Sequence, residues 1–121
     1  MRIVALAIAT VLISIVGAVA AEPAKRDGKV FTDQNGMTLY TFDKDGKNKS
    51  NCYDDCAKNW PPFMASADAK AEGDWTVVER KDGTKMWAYD GKPVYTFVND
   101  KKAGDMSGEG VAGAWHVVEA D

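Results

Sequence analysis

Gly36-Met37-Thr38-Leu39-Tyr40-Thr41-Phe42-Asp43-Lys44-Asp45 returns as Gly91-Lys92-Pro93-Val94-Tyr95-Thr96-Phe97-Val98-Asn99-Asp100, at an offset of 55 residues. Trp60 and Trp115 stand at the same offset, and a shorter echo relates Trp75-x-Val77-Val78 to Trp115-x-Val117-Val118. Self-similarity of this kind marks a duplicated supersecondary unit. Within each copy, Tyr and Phe two positions apart share one face of a strand. Asp45 and Asp100 follow just past the strand end, where a carboxylate accepts from turn N–H groups. The repeated motif of Tyr40, Phe42 and Asp45 with Tyr95, Phe97 and Asp100, each followed by a tryptophan (Trp60, Trp115), is expected to carry architecture. The two units are expected to bury their apolar faces against each other.

Outward from the repeat, Gln34-Asn35-Gly36, Lys81-Asp82-Gly83 and Asp90-Gly91 are turn signals between apolar runs. The runs are Lys29 to Asp33, Met37 to Phe42, Trp75 to Arg80, Thr84 to Tyr89, Val94 to Phe97 and Ala114 to Glu119. Pro61-Pro62 stops a short helical or turn segment around Cys52 and Cys56. Phe63 to Gly73 reads as a connection with a helical turn. The predicted fold is mostly β: a small antiparallel β domain built from two hairpin repeats, one over about residues 29–62 and the other over about 84–119.

Residues 1–21 differ from the rest. Arg2 precedes an apolar run from Ile3 to Val19, and the small residues Ala18 to Ala21 offer a cleavage site, the layout of a secretory signal peptide. Removing 21 of 121 residues leaves 100, and loss of Arg2 takes the formal charge from -3 to -4. Residues 22–28 read as a flexible leader, and 29–121 as one β domain. A domain of this size buries roughly two-thirds of its surface. Its weak acidity without a basic cluster speaks against nucleic acid as a partner, and after cleavage no run is long enough to span a membrane. All four Ile residues lie in the first segment and all twelve aromatics lie beyond it, so the core is expected to consist of aromatics, Val and Met.

Two cysteines in an exported chain read as one disulfide, Cys52–Cys56. Neighbouring positions one helical turn apart hold their Cβ atoms about 5–6 Å apart, so the bond requires a departure from regular helix there. An alternative is copper or thiol-redox handling through Cys52 and Cys56 with His116, the chain's one histidine. A second is an oxygen-ligand set of Asp100, Asp105 and Glu109 in a Gly-rich loop. A third is carbohydrate binding by exposed aromatics, with Trp60, Trp75, Trp87 and Trp115 as candidates and at least three of the four expected to be buried. Nothing supports catalysis: a lone histidine lacks a nucleophile motif, and Asp54-Asp55 project in different directions. No cofactor and no resident metal are expected. The reading is an exported, non-enzymatic envelope or extracellular module, periplasmic or secreted, that binds an unknown ligand or supports an assembly.

The chain also resembles the bacterial secreted-repeat family, described as predicted lipoproteins with a Y-x-[FWY]-x-x-D motif and of unknown function. The resemblance spans about residues 29 to 119. It rests on Leu39-Tyr40-Thr41-Phe42-x-x-Asp45, on Cys52-x-x-x-Cys56-Ala57-x-x-Trp60-Pro61-Pro62, and on Arg80-Lys81-Asp82-Gly83-Thr84-Lys85-x-Trp87-Ala88-Tyr89-x-Gly91-Lys92-Pro93. Gly104-Asp105 and Trp115-His116-Val117-Val118 complete it. The resemblance implies no activity and no cofactor. No cysteine stands at the cleavage site, so the lipid attachment in the family's label does not carry over.

Overall fold

The structure is a computed structural model that describes residues 22–120; the signal peptide read over residues 1–21 lies outside the described residues. Seven short strands, one helix and one 3₁₀ turn follow in the order β1 (Lys25–Asp27), β2 (Val30–Thr32), β3 (Tyr40–Phe42), α1 (Asp55–Asn59), β4 (Trp75–Glu79), β5 (Lys85–Tyr89), β6 (Lys92–Tyr95), the 3₁₀ turn Val111–Gly113, and β7 (Trp115–Val117). The fold is mostly β, as expected. Strands β1 and β2 form a two-stranded sheet, and the other five form an antiparallel sheet ordered β4-β5-β6-β3-β7.

The turns follow their chemistry. Asp90 and Gly91 both take positive φ, 52° and 78°, and directly join Tyr89 to its cross-strand partner Lys92. That is the geometry a two-residue hairpin demands, and Asp-Gly supplies it at low cost. In the β4–β5 connection the Asp82 carboxylate accepts from both Thr84 N and Thr84 Oγ1, and these bonds hold the Asp82 carboxyl below its usual range. Cys52 precedes α1 and Cys56 lies within it. Asp54, at φ 54°, breaks regular geometry between them, and the two cysteines are joined with their Cα atoms 5.2 Å apart.

Each face of the main sheet carries a buried cluster. One face carries Tyr40, Val78, Met86, Ala88, Tyr95 and Trp115, packed with Trp60, Phe97 and Cys52. The other carries Leu39, Val94, Trp75 and Val118, packed with Phe31 and Ala24. Strand alternation explains the division: Leu39 and Tyr40, like Val94 and Tyr95, point to opposite sides.

Two expectations are corrected. Residues 22–28 are not a loose leader: β1 pairs with β2, placing Lys25 opposite Thr32 and Asp27 opposite Val30, and Ala24 is buried. The two repeats do not meet face to face. They lie side by side in one sheet, with Tyr40 directly opposite Tyr95 where β3 pairs with β6. Strands of three or four residues bury too little as separate layers, whereas edge-to-edge pairing joins them into a sheet with a buried cluster on each face. The connection from Phe63 to Gly73 contains a turn where Ala69 N donates to Ser66 O at 3.1 Å. Pro62 bridges Tyr95 and Met64 bridges Met86, so this stretch runs extended along the sheet before turning.

Candidate functional site

The motif residues converge at the junction of the two repeats and exchange partners across it. Tyr40 Oη donates to Asp100 Oδ2 at 2.6 Å, and Tyr95 Oη donates to Asp45 Oδ2 at 2.6 Å. Each tyrosine of one copy is thus tied to the aspartate of the other. The second carboxylate oxygen of each aspartate fixes its own loop: Asp45 Oδ1 accepts from Asn51 N at 2.7 Å, and Asp100 Oδ1 accepts from Ser107 N at 2.9 Å and from Ser107 Oγ. Burial, reinforced by the carboxylate bonds, pushes both tyrosine hydroxyls far above their usual range. Burial also raises the Asp45 carboxyl.

A local two-fold relation runs through the backbone bonds and rings of the junction. Asp45 N donates to Phe42 O and Asp100 N to Phe97 O. Asp43 N donates to Ala114 O and Val98 N to Asn59 O. Phe63 N donates to Val94 O and Val118 N to Leu39 O. Every one of these pairs of bonds superimposes under the 55-residue offset. The rings obey it too. Trp60 and Trp115 stack on each other at the centre, 3.8 Å apart and 2° from parallel. Phe97 stacks on the outer side of Trp60 at 3.9 Å, and Phe42 on the outer side of Trp115 at 4.3 Å. Tyr40 meets Trp60 edge-on at 5.4 Å, and Tyr95 meets Trp115 edge-on at 5.3 Å.

Two segments, residues 24–64 and 76–119, match the model of a family described as a secreted repeat of unknown function. The chain belongs to this secreted-repeat family. No curated protein and no solved structure matches it. In this secreted repeat, the duplication seen in the matched segments is the duplication that Tyr40, Tyr95 and the two tryptophans build in space.

The symmetry is broken by a residue that the motif did not single out. Arg80 is buried, with Nη1 donating to Ser50 Oγ at 2.8 Å and Nη2 to Cys52 O at 2.7 Å. Ser50 Oγ is also 2.6 Å from Tyr95 Oη. A polar chain therefore runs Arg80–Ser50–Tyr95–Asp45, with a cation at one end and a carboxylate at the other. The Asp100 side has no such chain; there Tyr40 Oη accepts from Gly108 N at 3.2 Å. The available signal for Arg80 was its place two residues after Val78 on the same strand face. Nothing in the spacing pointed to Ser50 or Ser107.

Gly108 permits this packing. A Cβ there would sit 2.8 Å from Trp60 Cη2 and from two Tyr40 ring carbons. Neither ring can yield without breaking the stack or the Asp100 bond. Gly108→Ala is therefore expected to cost about 2–3 kcal/mol by overpacking, measured by denaturant unfolding; a change below about 0.5 kcal/mol would contradict the close approach.

The alternative constellations do not assemble. Cys52 and Cys56 are joined to each other, while His116 Nε2 lies 2.8 Å from Asp43 Oδ2 and Nδ1 lies 3.8 Å from Glu109 Oε1; the copper or thiol trio is not brought together. Asp100, Asp105 and Glu109 do not converge either. Asp100 serves Tyr40 and Ser107, Asp105 accepts from Lys101 N and Lys102 N, and Glu109 accepts from Val117 N. The aromatic platform is also absent: Trp60, Trp75 and Trp115 are buried, Trp87 is half-buried, and the large exposed apolar residues among the described ones are Met64, Val98 and Met106. Trp60 and Trp115 are each covered by stacked rings on both faces. Trp75 Nε1 is buried with no protein partner.

On the surface, two clefts of about 280 and 380 Å³ adjoin along Thr41, Asp43, Asp90 and Lys92. His116 in the larger one straps the loop after β3 to the loop before β7. Its bond to Asp43 holds the imidazole pKa above 6.5. A raised folded pKa means that the stabilisation is full below 6.5 and fades as pH rises through the folded value. His116 is part exposed, so solvent screening keeps the contribution below about 1 kcal/mol. The stability difference between the parent and His116→Gln should be largest near pH 5.5 and vanish in mildly alkaline buffer. A difference that grows with pH would contradict the strap.

Proposed function

We propose that this secreted repeat acts outside the cytoplasm, in the periplasm or beyond the cell, as a non-enzymatic binding or structural module whose export is directed by residues 1–21. The observation that carries the reading is the mutual engagement of Tyr40 with Asp100 and of Tyr95 with Asp45. The polar groups that the repeat places at its centre spend their donors and acceptors on one another. They hold a scaffold together and are not aimed at a substrate, so recognition falls to the loops and sheet edges around it. The disulfide fits an oxidising compartment, and the family description fits export. Among the described residues no helix is long and apolar enough to cross a membrane.

The test is expression of the full chain in a bacterial host, followed by fractionation and intact-mass measurement with and without reductant. The expected product lies outside the cytoplasm, lacks residues 1–21, and gains the mass of two hydrogens on reduction. An uncleaved chain with free thiols in the cytosol would overturn the export reading. Incubation of the purified domain with cell-wall sacculi should release no product; turnover abolished by a surface substitution would overturn the non-enzymatic reading.

A further inference from the structure

Strand β4 is one edge of the main sheet, and its register with β5 fixes which way its backbone groups point. Arg80 N donates to Thr84 O at 2.7 Å and Asp90 N donates to Asp74 O at 2.8 Å, so the even-numbered residues of β4 face β5. In an antiparallel pair the alternate residues turn their N–H and C=O groups away, which places those of Trp75, Val77 and Glu79 on the open side. Strand β5 shows the same alternation on its far side, where Trp87 N donates to Phe63 O and Lys85 O accepts from Ala65 N, both at 2.9 Å.

The open side of β4 is stoppered at both ends. Trp75 exchanges both of its backbone bonds with Glu72 at 2.8 Å. Lys81 N donates to Tyr53 Oη at 3.0 Å. Between these stops, the N–H and C=O groups of Val77 and Glu79 face outward, a window of two donors and two acceptors. Beside it lies a cleft of about 360 Å³ whose lining includes Lys49, Arg80, Lys81, Tyr53 and Glu79. Its charged groups sum to +2, in a chain whose net charge is -3. The cationic character is built in: Arg80 is anchored by Ser50 and Cys52, and its guanidinium lies over the Tyr53 ring at 4.2 Å, with the Lys81 ammonium 5.3 Å from the same ring.

We propose that the β4 edge between Val77 and Glu79 is a strand-addition site for an extended, acidic segment of a partner protein, whose carboxylate enters the Lys49–Arg80–Lys81 cleft. Main-chain bonds at a sheet edge supply affinity, and pockets for alternate side chains supply selectivity. A short window gives the peptide few bonds, so the charge in the cleft discriminates among extended segments. This proposal rests on the reading of the domain as a binding module and names the class of its partner.

The experiment titrates the isotope-labelled, oxidised domain with a blocked, extended peptide of alternating Glu and Val, followed by amide chemical shifts. The expected result is saturable movement of the Val77 and Glu79 amides. Binding should weaken with added salt, be lost when alternate peptide nitrogens are methylated, and fall about tenfold in Lys49→Glu/Lys81→Glu. Both lysines are exposed, so this variant keeps the fold. Val77→Pro, which removes one outward N–H at an edge position, should weaken binding further. If it fails to fold, the lysine variant and the methylated peptide still decide. No movement of these amides at millimolar peptide would overturn the site, as would equal response to an alternating Lys and Val peptide. Shifts confined to another face would overturn this site but leave the binding-module reading standing. Peptide-free, concentration-dependent movement of the same amides, with a dimer in sedimentation, would assign the edge to a second copy and overturn the proposal.

Discussion

Trp115→Ala is expected to remove about 3–5 kcal/mol of stability, the range for truncating a fully packed large aromatic. The ring is sandwiched between Trp60 at 3.8 Å and Phe42 at 4.3 Å and takes the edge of Tyr95 at 5.3 Å. Each such ring pair adds about 0.5–1.5 kcal/mol beyond area burial. Domains of this size have only about 5–15 kcal/mol in total, so the midpoint of thermal unfolding should fall by on the order of 20 °C. Trp60→Ala should behave alike, because it occupies the equivalent place in the same column. Trp87→Ala, half-buried and outside that column, should cost clearly less. Equal losses for Trp87 and Trp115 would show that the stack is not the centre of the core.

The second large effect is expected at Arg80. Arg80→Met keeps much of the volume of the stem but removes the donors that serve Ser50 Oγ and Cys52 O. It also removes the cation whose field favours ionised Asp45. Deleting one member of a buried ionic arrangement leaves the rest uncompensated, at a cost of about 3–5 kcal/mol. If the Arg80–Ser50–Tyr95–Asp45 chain acts as a unit, adding Asp45→Asn to Arg80→Met should recover part of the loss at neutral pH. The amide cannot ionise yet still accepts from Asn51 N. Burial raises the Asp45 carboxyl, so its ionisation opposes folding as pH rises from 3.8 through the folded value. The recovery should therefore disappear in acid, where Asp45 is already protonated. Strict additivity at all pH values would show that the two ends of the chain are independent.

Much of the fold was legible in residues whose local needs admit one answer. Asp90-Gly91 demanded a two-residue hairpin and formed one. Leu39-Tyr40 and Val94-Tyr95 announced a sheet with alternating faces. The two cysteines in a chain read as exported announced their bond. The candidate site was legible only in part. Tyr40, Asp45, Tyr95 and Asp100 were recognised as one repeated unit, but a repeat cannot say whether a tyrosine reaches the aspartate of its own copy or of the other. That depends on β3 pairing with β6, a long-range register set by the whole sheet. Strand β1 was missed because Lys25, Arg26 and Asp27 are all exposed; pairing with β2, not an apolar pattern, makes it a strand. Arg80 was missed because its burial is made acceptable by Ser50 and by the Cys52 carbonyl, which lie 30 and 28 residues away in the chain. Spacing could not show that the side chains behind the metal and sugar readings have other partners: the cysteines bond each other, His116 pairs with Asp43, the loop carboxylates accept from nearby N–H and hydroxyl groups, and Trp60 and Trp115 lie in a ring column.

The exchange of partners between repeats is tested most directly by double-mutant cycles on the oxidised domain. Tyr40→Phe combined with Asp100→Ala should show a coupling of about 2 kcal/mol, as for a buried hydrogen bond to a charged acceptor. Tyr40→Phe combined with Asp45→Ala, the pair within one repeat, should be additive to within about 0.5 kcal/mol. Coupling within the repeat and additivity across it would contradict the account.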